Sequence, residues 1–209
     1  MSENEVPDLS RMERKKEQTR KKIVEAAMSL FEELGYDATS MEQIAEEADI
    51  AKGTLYNYFP VKEAIVNEFM KRSFEGRHDE RIARLQQLPD TRTRMVAIFK
   101  ELIKGIARQK VLFEKYLIYR TRNIISFYPE DEEKGGLSQL GQAVIALGQQ
   151  SGEIRADLPP VVLEDLFEFA MIEVIKYFYQ DEDMAALDTV IDQCVDLFLH
   201  GARKAVAQD

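Results

Sequence analysis

Apolar residues recur at spacings of three and four along most of the chain, and no stretch alternates with period two for long enough to predict a strand. Glycine and proline punctuate these stretches. The pattern predicts an all-α fold of about nine helices. The first covers residues 13–34, with Ile23, Ala27, Leu30, Phe31 and Leu34 along one face. Gly35 should stop it, since glycine enters the left-handed region freely, and Tyr36 just beyond can fold back on Phe31. Ser40 and Gln43 stand at capping-box spacing and open a short second helix, buried through Met41, Ile44, Ala45 and Ala48. Thr39 precedes that cap, with its hydroxyl read as free. Asp49-Ile50-Ala51 makes a tight connection to a third helix, Lys52 to Phe59, which ends before Pro60. Two short helices joined tightly, with another packed behind, make a helix-turn-helix.

Downstream the same periodicity predicts helices over 62–88, 92–108, 111–126, 136–150, 161–180 and 184–207, with a polar loop at 128–133. The last two carry apolar faces broader than one subunit's packing needs. Leu166, Val174 and Phe178 on one, and Val190, Cys194 and Phe198 on the other, predict a four-helix bundle formed with a second copy. A thick monomer core is the alternative. Phe99, Ile103, Phe113, Tyr116, Phe167 and Met171 form an apolar and aromatic stripe on the middle helices, which serves a core as well as a pocket. Arg120, Arg122 and Asn123, embedded in it, are the polar groups able to orient a small-molecule ligand.

Composition narrows the function. The 209 residues include 45% hydrophobic ones, enough for a real core. The single cysteine, Cys194, and two distant histidines, His78 and His200, argue against a disulfide framework and a metal site. No phosphate loop, nucleophile elbow or metalloprotease motif occurs, so neither an enzyme nor a cofactor is expected. The absence of a long apolar run predicts no membrane span and a cytoplasmic protein. A formal charge of −10 argues against nucleic acid, but its distribution does not. Residues 11–22 hold seven cations against two carboxylates. They fall at the start of the first helix, where cations oppose the dipole, so a partner phosphate is indicated.

The third helix gives the sharper signal. Leu55 and Phe59, four apart, turn to the core and leave Lys52, Thr54, Tyr56 and Asn57 outward. Gly53 in its first turn lets backbone approach a groove closely. Lys52 can donate to guanine O6 and N7, the Thr54 methyl can touch a thymine methyl, and Tyr56 and Tyr58 can reach phosphate or a base edge. Lys62, at the start of the fourth helix, sits where the dipole is positive and an anion would be welcome. Thr39 and Ser40 begin the second helix, where hydroxyl and helix-end amides suit another phosphate.

Residues 20–69 resemble the DNA-binding domain of the tetracycline-repressor (TetR/AcrR) family of bacterial transcription regulators. The resemblance rests on Arg20, Ile23, Ala26-Ala27, Leu30-Phe31, Gly35-Tyr36, Thr39-Ser40 and Ile44-Ala45, and continues through Ala48, Ile50 to Tyr56, Tyr58-Phe59 and Lys62-Glu63. Val61 departs from the small polar cap common there. The resemblance implies a homodimeric repressor on a palindromic double-stranded DNA operator, released by a small-molecule effector. It also implies a DNA-binding domain over 11–61, after a disordered tail at 1–10, and an effector-binding and dimerisation domain over 62–209.

Overall fold

The computed structural model describes residues 10–124, 136–181 and 183–202. Among them lie ten α-helices and no strand: α1 (Arg11–Leu34), α2 (Met41–Glu47), α3 (Lys52–Tyr58), α4 (Lys62–Glu75), α5 (His78–Gln87), α6 (Thr91–Arg108), α7 (Lys110–Ile124), α8 (Gly136–Gln150), α9 (Pro160–Gln180) and α10 (Met184–Ala202). The all-α class therefore holds. The helix expected over 62–88 is two helices, because Gly76 is a poor helix former and Arg77 takes φ −126°, ψ 15°, outside helical geometry. The expected tail at 1–9 and the loop at 128–133 lie outside the described residues, whereas Ser10 caps α1.

Two compact units result. The described residues through Met70, joined by those of α7 from Val111, form the first. Lys71–Lys110 and the described residues from Gly136 onward form the second.

In the first unit Ile23, Val24, Ala27 and Phe31 of α1 meet Ile44, Ala45, Leu55, Phe59, Ile65 and Val66 in one apolar core. Full burial of side chains such as Leu55 and Phe59 contributes about 1.5–3 kcal/mol each. Gly35 takes φ +87° after α1, where a side chain would be strained, and the Tyr36 ring turns back to within 5.0 Å of Phe31. The glycine stop and the ring contact are as expected, but a ψ of 154° takes Gly35 outside the left-handed helical region, so the end is not the Schellman motif that the sequence suggests.

The second unit packs α10 on α9 and α6, and α8 on α9, α6 and α5. Phe167 sits at its centre, 5.5 Å from the Phe99 ring and 6.1 Å from that of Phe198. Helices α8 and α9 approach closely at Gly141, where a Cβ would lie 3.0 Å from the Phe167 ring. Ion pairs fix register along the outside: Arg92 to Asp192 and Asp196 at 2.9 and 2.8 Å, and Lys100 to Asp188 at 3.0 Å. Each is exposed, so solvent screening keeps its contribution to stability small.

A buried polar joint does more at the start of α6. Arg94, only 7% exposed, donates from Nε to the Leu85 carbonyl (3.1 Å) and from Nη2 to that of Leu88 (2.9 Å), closing the end of α5. Asp90 caps α6 through the Thr93 N–H at 2.7 Å, and Glu153 accepts from the Thr91 N–H at 2.7 Å. Asp90 is thereby held below its ordinary pKa, chiefly by the Thr93 N–H. Burial opposes ionisation of Glu153, but the Thr91 N–H and Ser151 hydroxyl outweigh it and the pKa falls. Both carboxylates therefore contribute stability above their unfolded pKa values, and that contribution is lost as pH falls through the lower folded ones. Glu153→Gln should lower stability by about 1 kcal/mol near pH 7. Its urea midpoint should converge with that of the wild type as pH drops towards about 3. A gap that stays constant with pH would remove Glu153 from the linkage.

Candidate nucleic-acid interface

The helix-turn-helix is built from local rules. Ser40 accepts from the Gln43 N–H at 3.2 Å and Gln43 Oε1 accepts from the Ser40 N–H at 2.8 Å, so the capping box that opens α2 is complete. The turn to α3 needs one residue at positive φ, and Asp49 supplies it at +48°. An aspartate tolerates that region better than most residues. Helix α3 then lays Leu55 and Phe59 into the core and leaves Lys52, Gly53, Tyr56 and Asn57 exposed, with Thr54 and Tyr58 half-buried. The Tyr56 side chain is 41% exposed and so available at the outer face of α3. One face of a seven-residue helix thus presents cation, amide, aromatic hydroxyl and bare backbone together.

Two side chains assigned to phosphate are placed differently. Thr39 is 1% exposed, and its hydroxyl donates inward to the carbonyls of Gly35 (2.8 Å) and Leu30 (3.3 Å). It is not the free hydroxyl that its place beside a helix cap suggested. The reason is the exit from α1, which leaves carbonyls that need donors. Lys62 points back rather than out: Nζ donates to the Tyr36 carbonyl at 2.8 Å and the Thr39 carbonyl at 2.7 Å, and lies 4.5 Å from the Tyr36 ring centroid. Its position at a positive helix end is explained by these carbonyls as well as by any anion. Lys115 of α7 approaches the same ring at 5.6 Å, and the Tyr36 hydroxyl donates to Glu63 at 2.8 Å. Burial, then the bond to Glu63, push the Tyr36 phenol up.

The basic run is helical from Arg11, with a capping box between Ser10 and Glu13 that extends α1 two residues before the expected start. Arg20 is used structurally, 5.0 Å above the Phe59 ring and 3.4 Å from Glu68. Lys22 pairs with Asp49 at 3.8 Å and Lys21 with Glu25 at 3.7 Å. Lys52 pairs with Glu42 of α2, and its Nζ lies 5.9 Å from the Tyr56 ring centroid. Glu42 raises the pKa of Lys52, and Lys52 lowers that of Glu42. Sequence reasoning missed Glu42 because ten residues of chain separate it from its partner.

Residues 23–69 match the family described as bacterial regulatory proteins, tetR family. The match spans the segment from α1 into α4, so this part of the chain is similar to the tetR-family regulators. Over 98 residues it is 36% identical to the HTH-type transcriptional repressor KstR of Rhodococcus jostii, covering 46% of this chain and 44% of that protein. The chain thus spans less than half of that curated relative. A longer match, 26% identical over 188 residues, joins 87% of this chain to 90% of the repressor KstR2 of the same organism. Among solved structures, FadR of Thermus thermophilus, a TetR-family repressor in complex with lauroyl-CoA, shares the fold with a TM-score of 0.65 and 24% identity, covering 91% of this chain and 99% of that one. FadR of Bacillus subtilis, in complex with stearoyl-CoA, gives a TM-score of 0.54 at 17% identity, covering 88% and 99%.

The second set of candidate residues lies on the helices beyond α3. Phe99, Ile103, Phe167 and Met171 are buried in the second unit, whereas Phe113 and Tyr116 are buried residues of α7 in the first. Arg120 is half-buried, and the side chains of Arg122 and Asn123 lie outside the described residues. Of the residues assigned to a dimer seam, Val174, Phe178 and Phe198 are buried within this chain's own core. Leu166 is 51% exposed, and Val190 and Cys194 are half-buried. Phe169 and Leu197, missed in the sequence, are exposed at 48% and 77%. A broad apolar helix does not announce which of its sides meets its own subunit.

The α1–α2–α4 joint has a direct test. Thr39→Val leaves two carbonyls without their donor and should cost about 1–2 kcal/mol in urea unfolding without DNA. Lys62→Met should cost a similar amount. Stability unchanged in both would return these side chains to a purely DNA-facing role.

Proposed function

We propose that the chain is a ligand-responsive DNA-binding transcriptional repressor, acting as a homodimer on a palindromic operator in the cytoplasm, without catalysis of its own. The observation that carries this reading is the outer face of α3, where Lys52, Gly53, Tyr56 and Asn57 stand exposed on a helix whose other side is locked by Leu55 and Phe59. A recognition helix enters the major groove in this manner, and a two-fold dimer sets half-sites about 34–36 Å apart. Lys52, Thr54, Tyr56 and Asn57 read bases in this proposal. Ser40, Gly53 and Tyr58 hold the backbone, together with Thr39 and Lys62 through the joint they stabilise.

The exposed faces of α9 and α10, through Leu166, Phe169, Val190, Cys194 and Leu197, fit a seam with a second copy. The effector is assigned to the helical region beyond the DNA-binding domain, where Phe99, Ile103, Phe167 and Met171 offer an apolar surround and Phe113, Tyr116, Arg120 and Asn123 remain candidates on α7. The acyl-CoA esters held by the two FadR proteins make lauroyl-CoA the first compound to try as a releasing ligand. Binding that shifts operator affinity by about 5–150-fold is typical of such coupling.

A site selected from random duplexes with the full chain supplies the probe. Lys52→Ala and Tyr56→Ala should each cost about 1–3 kcal/mol on that site and much less on random duplex. Equal loss on both would reduce the two residues to backbone contacts, and failure to select any sequence would sink the regulator reading. On assembly, Leu197→Asp should give a folded monomer by sedimentation and circular dichroism, whereas Val174→Asp should unfold the second unit. A folded dimer with Leu197→Asp would take α10 out of the seam.

A further inference from the structure

The carboxylate of Glu42 stands beside α3, and a helix-start role on α2 does not by itself call for the cross-helix pair it makes. It leaves the first turn of α2, crosses to α3 and pairs with the Lys52 ammonium. Both side chains remain more than half exposed, at 54% and 58%, so the pair is open to solvent on the side that α3 presents. Lys52 is steadied further by the Tyr56 ring. Lysine alone on a major-groove face is a point charge that takes any phosphate. Lysine held against a carboxylate is a donor and an acceptor in fixed register.

Guanine offers O6 and N7 acceptors in the major groove, and its cytosine partner offers the N4 amino donor beside them. We infer that Glu42 is a specificity-determining residue, which together with Lys52 reads one G·C base pair, Lys52 donating to the guanine edge and Glu42 accepting from cytosine N4. The ammonium has three hydrogens, so it keeps Glu42 while donating to guanine. Against random sequence the same carboxylate is a penalty. It brings negative charge to the phosphates and has no amino group to receive. Glu42 therefore lowers affinity for DNA in general and returns part of that loss only at the matching base pair. The inference rests on the proposed DNA-binding function and adds to it a base and the residues that read it.

The bland account of Glu42 is a helix-start carboxylate that complements the α2 dipole. In that case Glu42→Gln would change stability and no base preference. The test uses the full chain and the selected site, with every position of one half-site varied in turn. Wild type should require G·C at one position and discriminate against A·T there by roughly 5–150-fold. Glu42→Gln should relax that position alone and bind random duplex about two- to fivefold more tightly per DNA-binding unit. Lys52→Met should relax the same position, and the double variant should relax it no further than either single one, as expected of residues acting as a unit. Base preferences of Glu42→Gln identical to wild type at all positions would overturn the inference, as would relaxation at a position that Lys52→Met leaves untouched. If wild type selects no sequence, the regulator reading fails and takes this inference with it; a selected site with an indifferent Glu42 removes the inference alone.

Discussion

One ammonium group joins three helix ends at the edge of the first unit's apolar core. Lys62 holds the carbonyls of Tyr36 and Thr39, stands over the Tyr36 ring, and so ties the start of α4 to the segment between α1 and α2. Thr39 completes the joint from the other side, by donating to carbonyls at the end of α1. Three helix ends meet there, each with backbone groups that have no partner within their own helix. A charged donor in such a place satisfies acceptors that would otherwise be buried at a cost of about 1–3 kcal/mol each. The joint ties the segment before α2 to the start of α4, while Leu55 and Phe59 hold α3 on the apolar core.

Electrostatics in this chain is local rather than global. The net charge is −10, yet the Debye length is about 8 Å at physiological salt, so distant carboxylates are screened from the outer face of α3. Nearby carboxylates are another matter. Glu42, Asp49 and Glu68 each hold a cation of the DNA-binding domain, on Lys52, Lys22 and Arg20 respectively. A tally of positive residues therefore overstates the charge on offer to a polyanion.

Much of the fold was legible because it is written in short-range terms. The Gly35 stop, the Ser40–Gln43 box and the Leu55–Phe59 pair each need information from within four residues. The split of α4 from α5 at Gly76 was missed, since apolar periodicity continues across it and a single glycine is a weak breaker. Thr39 and Lys62 were legible as important positions, but not in their direction: Thr39 turns to carbonyls four and nine residues back and Lys62 to one 26 residues back, and a backbone carbonyl leaves no mark in the sequence. The same limit hid Glu42. On α9 and α10 the apolar surplus was plain, while the division between Val174, Phe178 and Phe198 inside and Phe169 and Leu197 outside depends on how the neighbouring helices roll.

Helix α1 has 24 residues, about 36 Å of rise, but its buried residues begin only at Ile23. In the half of this rod before Ile23 no side chain is fully buried; Arg20 over Phe59 and beside Glu68, and Lys22 beside Asp49, tie its inner turns, and the Ser10–Glu13 box caps its outer end. Isolated helices of that size are marginal in water, and like charges stacked along one erode them further. An approaching polyanion would neutralise those charges and stiffen the rod, while rising salt would do so without orienting it. The basic first turns of α1 are therefore the part of that helix whose stability depends most on the surrounding ions.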